Sequence, residues 1–141
     1  MLDPHNLLSQ VHPDLVKVIN AASQTPQPFQ VIYGIRTLAE EKQLVLEGFS
    51  QTLHSRHLPD SHYNNLAMAV DIGVFVNGVY LGSGPTVAVV YTAVSKQVLA
   101  AAQELGIDVQ WGGQAVGAWV DGVVSHFQDW GHYQLDPAKY P

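Results

Sequence analysis

The chain has 141 residues, 47% of them apolar, with a formal net charge of −6 and no cysteine. That length supports one packed domain, expected over residues 1–141, and the apolar fraction argues against disorder. Only 6 Lys plus Arg stand against 12 Asp plus Glu, with no basic run, which excludes a phosphate-backbone binder; the missing cysteines exclude disulfides, thiolate metal sites and a cysteine nucleophile.

The opening "MLDPHNLLSQVHPDLVKV" has no basic leader and no long apolar run, so no signal peptide is expected. No stretch reaches the roughly 20 apolar residues of a membrane span. A chain made in the cytoplasm is expected, released by other means if it acts elsewhere. Pro13 at a first helical position, with Leu15, Val18, Ile19 and Ala22 on one face, predicts a helix over about 13 to 24. "FQVIYG" predicts a strand with Phe29, Val31 and Tyr33 on one side. "TLAEEKQLVLEG" predicts a helix capped by Thr37, closed by Glu40 in a capping box and stopped at Gly48.

Residues 49 to 69 show no periodicity and are expected to form a long loop, a common place for function. "VDIGVFVNGVYL" reads as two strand-forming runs joined by an Asn77-Gly78 hairpin turn. A long helix follows over about 86 to 105, ended by Gly106 and with an apolar stripe that belongs to the core. "IDVQW" and "HYQL" are short strands, and the Gly- and Trp-rich stretch between them is irregular. Helices and antiparallel strands in blocks predict an α+β fold, a small antiparallel sheet with flanking helices.

With no cysteine, a metal would need His and carboxylate ligands, a donor set that suits zinc. Strand alternation puts Asp71, Gly73 and Phe75 on one face and Val70, Ile72 and Val74 on the other, which is core. The same alternation separates His132 and Gln134 from Tyr133 and Leu135. Two strands then each offer a ligand-type side chain on a shared open face, and His57 in the preceding loop is a candidate third. His, Asp and His with an open position is the pattern of a catalytic zinc centre. Asp129, three residues before His132, is placed to act as general base. The competing reading makes His57 a solvated loop residue, Asp71 a turn cap and His132 a partly buried histidine. His54, His5 and His12 read as surface positions, His12 near a helix start, and nothing in its spacing demands a site role for His126. Trp111, Trp119 and Trp130 are candidates for a substrate groove, with core packing an equal option for Trp111.

"VHPDLVKV", "YGIRTLAEEKQLVLEG", "SQTLHSRH", "AVDIGVFVNG" and "GHYQL", in this order, resemble the zinc peptidases of the L-alanyl-D-glutamate peptidase and D-alanyl-D-alanine carboxypeptidase family, especially its phage-endolysin branch. The resemblance runs from about Val11 to Leu135. It implies a fold shared with the Hedgehog signalling domain and the D,D-peptidases, zinc on His57, Asp71 and His132, Asp129 as base, and Arg36 binding substrate or stabilising the oxyanion. The implied substrate is the peptidoglycan stem peptide, cut between L-alanine and D-glutamate, by a monomer that acts on the wall after release. Cleavage of the terminal D-alanyl-D-alanine bond is the alternative within the class; a non-catalytic zinc-containing module and a purely structural metal site are the alternatives outside it. Three departures stand out. The gap from His57 to Asp71 is longer than in many members, which makes His62 a rival ligand. Tyr33 replaces a frequent Glu, and "QAVGAW" follows the "WGG" element.

Overall fold

The computed structural model describes residues 1–23, 26–48, 55–82, 84–113 and 130–141. A 3-10 turn at Leu7–Gln10 leads into α1 (Pro13–Ala22), β1 (Gln30–Tyr33) and α2 (Leu38–Leu46). A second 3-10 turn, Ser61–Tyr63, precedes β2 (Ala69–Gly73), β3 (Phe75–Val76), β4 (Val79–Tyr80), α3 (Val87–Leu105), β5 (Val109–Trp111) and β6 (His132–Leu135). The main sheet is antiparallel with strand order β1-β2-β6-β5, and β3 and β4 form a separate hairpin. This is the expected α+β architecture.

Local chemistry accounts for the helices. Pro13 starts α1, and the His12 ring accepts a hydrogen bond from the Asp14 N–H at 3.0 Å, so His12 is the cap of that helix. Thr37 and Glu40 close the expected capping box on α2. Gly106 ends α3 at φ 70°, a left-handed conformation that glycine adopts without penalty.

The core lies on one side of the sheet. Leu15, Val18, Ile19 and Ala22 of α1 pack with Tyr91, Val94 and Val98 of α3 against Val31, Val70, Ile72, Tyr133 and Leu135. Val70 and Ile72 are on the face that alternation assigned to the core, and Tyr133 and Leu135 are on the side that alternation separated from His132. One expectation fails. Tyr33 does not share a face with Phe29 and Val31, because the β1–β2 register shifts between Val31 and Tyr33. That bulge turns Tyr33 outward, where it is 58% exposed. The first strand-forming run is also divided: β2 stays in the main sheet and β3 leaves it for the Asn77-Gly78 hairpin. The predicted loop at 49 to 69 is described from residue 55 onward and contains the second 3-10 turn.

Candidate metal centre

On the face of the sheet away from α1 and α3, Asp71 of β2 stands directly opposite His132 of β6. Cross-strand neighbours in an antiparallel pair lie about 5 Å apart, so register alone sets these two side chains together. His57 reaches them from the loop before β2. Its position is fixed by three contacts. The His57 N–H donates to Ser55 Oγ at 3.1 Å, the Arg36 N–H donates to the His57 carbonyl at 2.8 Å, and the His57 ring bonds the Gly34 carbonyl through Nδ1 at 2.7 Å. Gly34 has to be glycine, because a Cβ there would lie 2.9 Å from the Leu7 carbonyl oxygen.

The distances at the junction are short and nearly equal. His57 Nε2 lies 3.2 Å from Asp71 Oδ1 and 3.2 Å from His132 Nδ1, and His132 Nδ1 lies 3.1 Å from Asp71 Oδ1. A backbone carbonyl only accepts, so the Gly34 contact places the His57 proton on Nδ1 and its lone pair on Nε2. His132 Nε2 faces Gln134 Oε1 at 2.9 Å, which likewise leaves its lone pair on Nδ1. Two ring lone pairs and a carboxylate oxygen therefore converge with no proton of their own between them. A single shared proton satisfies one of these contacts; a metal ion satisfies all three. Ligands about 2.0–2.1 Å from a tetrahedral zinc are ~3.3 Å apart, close to the observed spacing. The three residues thus form a group that could hold a metal ion.

Asp71 is ionised: burial would push its carboxyl up, but its charge and hydrogen-bond interactions with the His57 and His132 rings outweigh that and hold it far below the usual carboxylate range. Asp71 Oδ2 points away from the histidines, 3.9 Å from Arg36 Nη2. The other edge of that guanidinium bonds Glu41 Oε2 at 2.8 Å. Glu41 is completely buried although it lies on α2. Arg36 therefore links a buried carboxylate to the metal-type cluster.

The structure brings together Arg36, His57, Asp71 and His132. The face they share is not open as expected: His57 is 2% exposed and His132 4%. His62 is not part of the group; its side chain is 81% exposed and pairs with Asp60. Trp111 is buried in the core and bonds the Trp130 carbonyl through its indole N–H at 2.8 Å. Asp129, Trp119, His126 and His54 lie outside the described residues. Sequence reasoning missed Glu41, Gln134 and Gln110. An arginine expected at a site needs a carboxylate to hold it, and Glu41 is one turn away on the capped helix; that was the available signal. For Gln134 the signal was its place on the His132 side of the strand.

A sequence model of the family described as phage L-alanyl-D-glutamate peptidase matches residues 3–135, a span that includes every candidate residue. The chain belongs to this family. It is similar to the L-alanyl-D-glutamate peptidase of Escherichia phage T5, with 29% identity over 134 residues, covering 91% of this chain and 90% of the relative. It is also similar to the solved structure of the Serratia marcescens L-Ala D-Glu endopeptidase ChiX. That match has a TM-score of 0.75 and 36% identity, and covers 96% of this chain and 87% of the other. In this member of the phage L-alanyl-D-glutamate peptidase family, His57 of "SQTLHSRH" and Asp71 of "AVDIGVFVNG" lie on the loop and the strand that meet at the junction. His62, between them in the chain, faces solvent.

Proposed function

We propose that the chain hydrolyses the bond between L-alanine and D-glutamate in the peptidoglycan stem peptide, with a zinc ion held by His57, Asp71 and His132. The observation that carries this reading is the convergence of two ring lone pairs and one carboxylate oxygen within 3.2 Å, in a chain of this family. Zinc bound there would polarise the scissile carbonyl and make water acidic enough to attack it near neutral pH. The absence of cysteine and the His, His, Asp donor set favour zinc over softer or purely oxygen-seeking metals.

The chain's own residues supply the rest. The Gly34 carbonyl and Ser55 hold His57, so its ring keeps one orientation. Arg36, tethered by Glu41, provides fixed positive charge for the oxyanion that develops on the substrate. Asp129 takes a proton from the attacking water and returns it to the leaving amine. That assignment rests on its spacing from His132 and on the family resemblance. The working unit is residues 1–141 as one domain and a monomer, acting on the cell wall after release from the cytoplasm. No helix among the described residues is long and apolar enough to cross a membrane.

Digestion of defined stem peptides, with products identified by mass spectrometry, tests the bond. Release of L-alanine from the D-glutamate amine is the expected result. Release of terminal D-alanine alone would assign D,D-carboxypeptidase activity instead. Absence of any cleavage by zinc-loaded protein would favour a non-catalytic module.

A further inference from the structure

Gln134 is a polar side chain where an apolar one would be expected. It sits in the middle of the sheet on β6, opposite the small Ala69 on β2 and Gln110 on β5, and is completely buried. Burying a primary amide is costly unless its donor and acceptor sides are both used. Here both are. Gln134 Oε1 lies 2.9 Å from His132 Nε2, and Gln134 Nε2 donates to Gln110 Oε1 at 3.2 Å.

An amide has one accepting and one donating end, and which end faces the imidazole decides where the imidazole carries its proton. With Oε1 toward His132, the ring proton sits on Nε2 and the lone pair on Nδ1 faces Asp71 and His57. With the amide reversed, the NH2 group would donate to Nε2. The ring proton would then move to Nδ1, into the space between the three ligand atoms, and His132 could not take a metal there. Gln110 Oε1 accepts from the NH2 end, which favours this sense of the amide while Gln110 keeps its own oxygen turned toward Gln134. His57 needs no such side chain, because its partner is a backbone carbonyl that can only accept.

We propose that Gln134 is a positioning residue that selects the metal-ready tautomer of His132, with Gln110 fixing the direction of its amide. The proposal rests on the reading of His57, Asp71 and His132 as metal ligands, but its first test does not need the metal. Partners of this kind typically change metal affinity by ~10- to 100-fold when removed.

The first experiment is nitrogen-15 NMR of the histidine rings in the wild-type protein, with and without zinc. The expected result is a His132 proton on Nε2 in both states. A proton on Nδ1 of metal-free His132 would overturn the proposal whether or not the protein binds zinc. The second experiment is zinc affinity by competition with a chromophoric chelator. Gln134→Met removes the acceptor at similar volume and should weaken zinc binding by ~10- to 100-fold. Gln134→Glu keeps an acceptor toward Nε2 and should restore binding to within a few-fold. Gln110→Met should give a smaller loss together with mixed His132 tautomers. Unchanged affinity in folded Gln134→Met, or no rescue by Gln134→Glu, would overturn the proposal. Failure of the wild type itself to bind zinc, with His132 protonated on Nε2, would instead count against the metal reading alone.

Discussion

Arg36→Ala should cost stability as well as activity, and the amount follows from the burial of its partner. The Glu41 side chain has no solvent exposure and the Arg36 side chain only 16%, so their 2.8 Å contact is not a solvent-screened surface pair. Removing one member of a buried ion pair costs about 3–5 kcal/mol, because the remaining charge keeps its desolvation penalty without its partner. About 3 kcal/mol, the low end of that range, is expected here, since Arg36 keeps some contact with water and Glu41 keeps an interaction besides Arg36. At about 2.1 cal/mol/K per residue, a chain of 141 residues has an unfolding entropy of about 0.3 kcal/mol/K, so the melting temperature should fall by about 10 °C. The double variant Arg36→Met, Glu41→Leu should recover most of that loss, about 2 kcal/mol. Thermal and urea denaturation of metal-stripped proteins is the assay, so that metal binding does not shift the midpoints. Peptide cleavage by the Arg36→Ala protein is then measured well below its melting temperature, separating the loss of substrate charge from unfolding. A melting temperature within about 2 °C of wild type, or a double variant no more stable than the single one, would show that the Arg36–Glu41 pair does not carry this stability.

Three further outcomes are expected. Asp129→Asn should retain fold and zinc but lose ~10²- to 10⁴-fold in peptide cleavage, and wild-type rates in this variant would remove Asp129 from the mechanism. His62→Ala should bind zinc like wild type, whereas His57→Ala should bind it far more weakly; metal analysis giving the reverse order would make His62 the ligand. Burial and a hydrogen bond to Asp14 push the Tyr140 phenol up to about 12 from its ordinary 10.0. The folded state therefore holds this proton more tightly than the unfolded one, so the contribution is complete below pH 10 and is lost as pH rises toward about 12. Stability should decline over that window, and Tyr140→Phe should make the decline shallower; equal slopes in the two proteins would contradict the assignment.

Much of the site was legible because strand alternation is a local property. "AVDIG" and "HYQL" each declare which of their residues face the core, so Asp71, His132 and Gln134 could be placed on one side without knowing the fold. The pairing of Asp71 with His132 was not readable, since register depends on which strands meet. The bulge in β1 was also invisible, and it carried Tyr33 to the surface against a clean alternating pattern. Helix α2 misleads for a related reason. Its ends and capping box are explicit in "TLAEEKQLVLEG", but it buries Glu41 and leaves Leu46 81% exposed. An ion pair to Arg36, outside the helix, decides which face turns inward. Ser55 is a middle case: it lies in the "SQTLHSRH" stretch that carries part of the family resemblance, while its role as acceptor for the His57 N–H emerges from the loop geometry.

The proposed zinc dependence rests on the convergence of His57, Asp71 and His132. The most direct measurement is to strip the metal, titrate zinc back, and follow cleavage of a stem peptide containing the bond between L-alanine and D-glutamate. Negligible cleavage is expected without metal, rising with each zinc increment and saturating at about one zinc per chain, with no recovery when His57 and His132 are both replaced by Ala. Full cleavage by the stripped protein, or zinc-restored cleavage by the double variant, would contradict it.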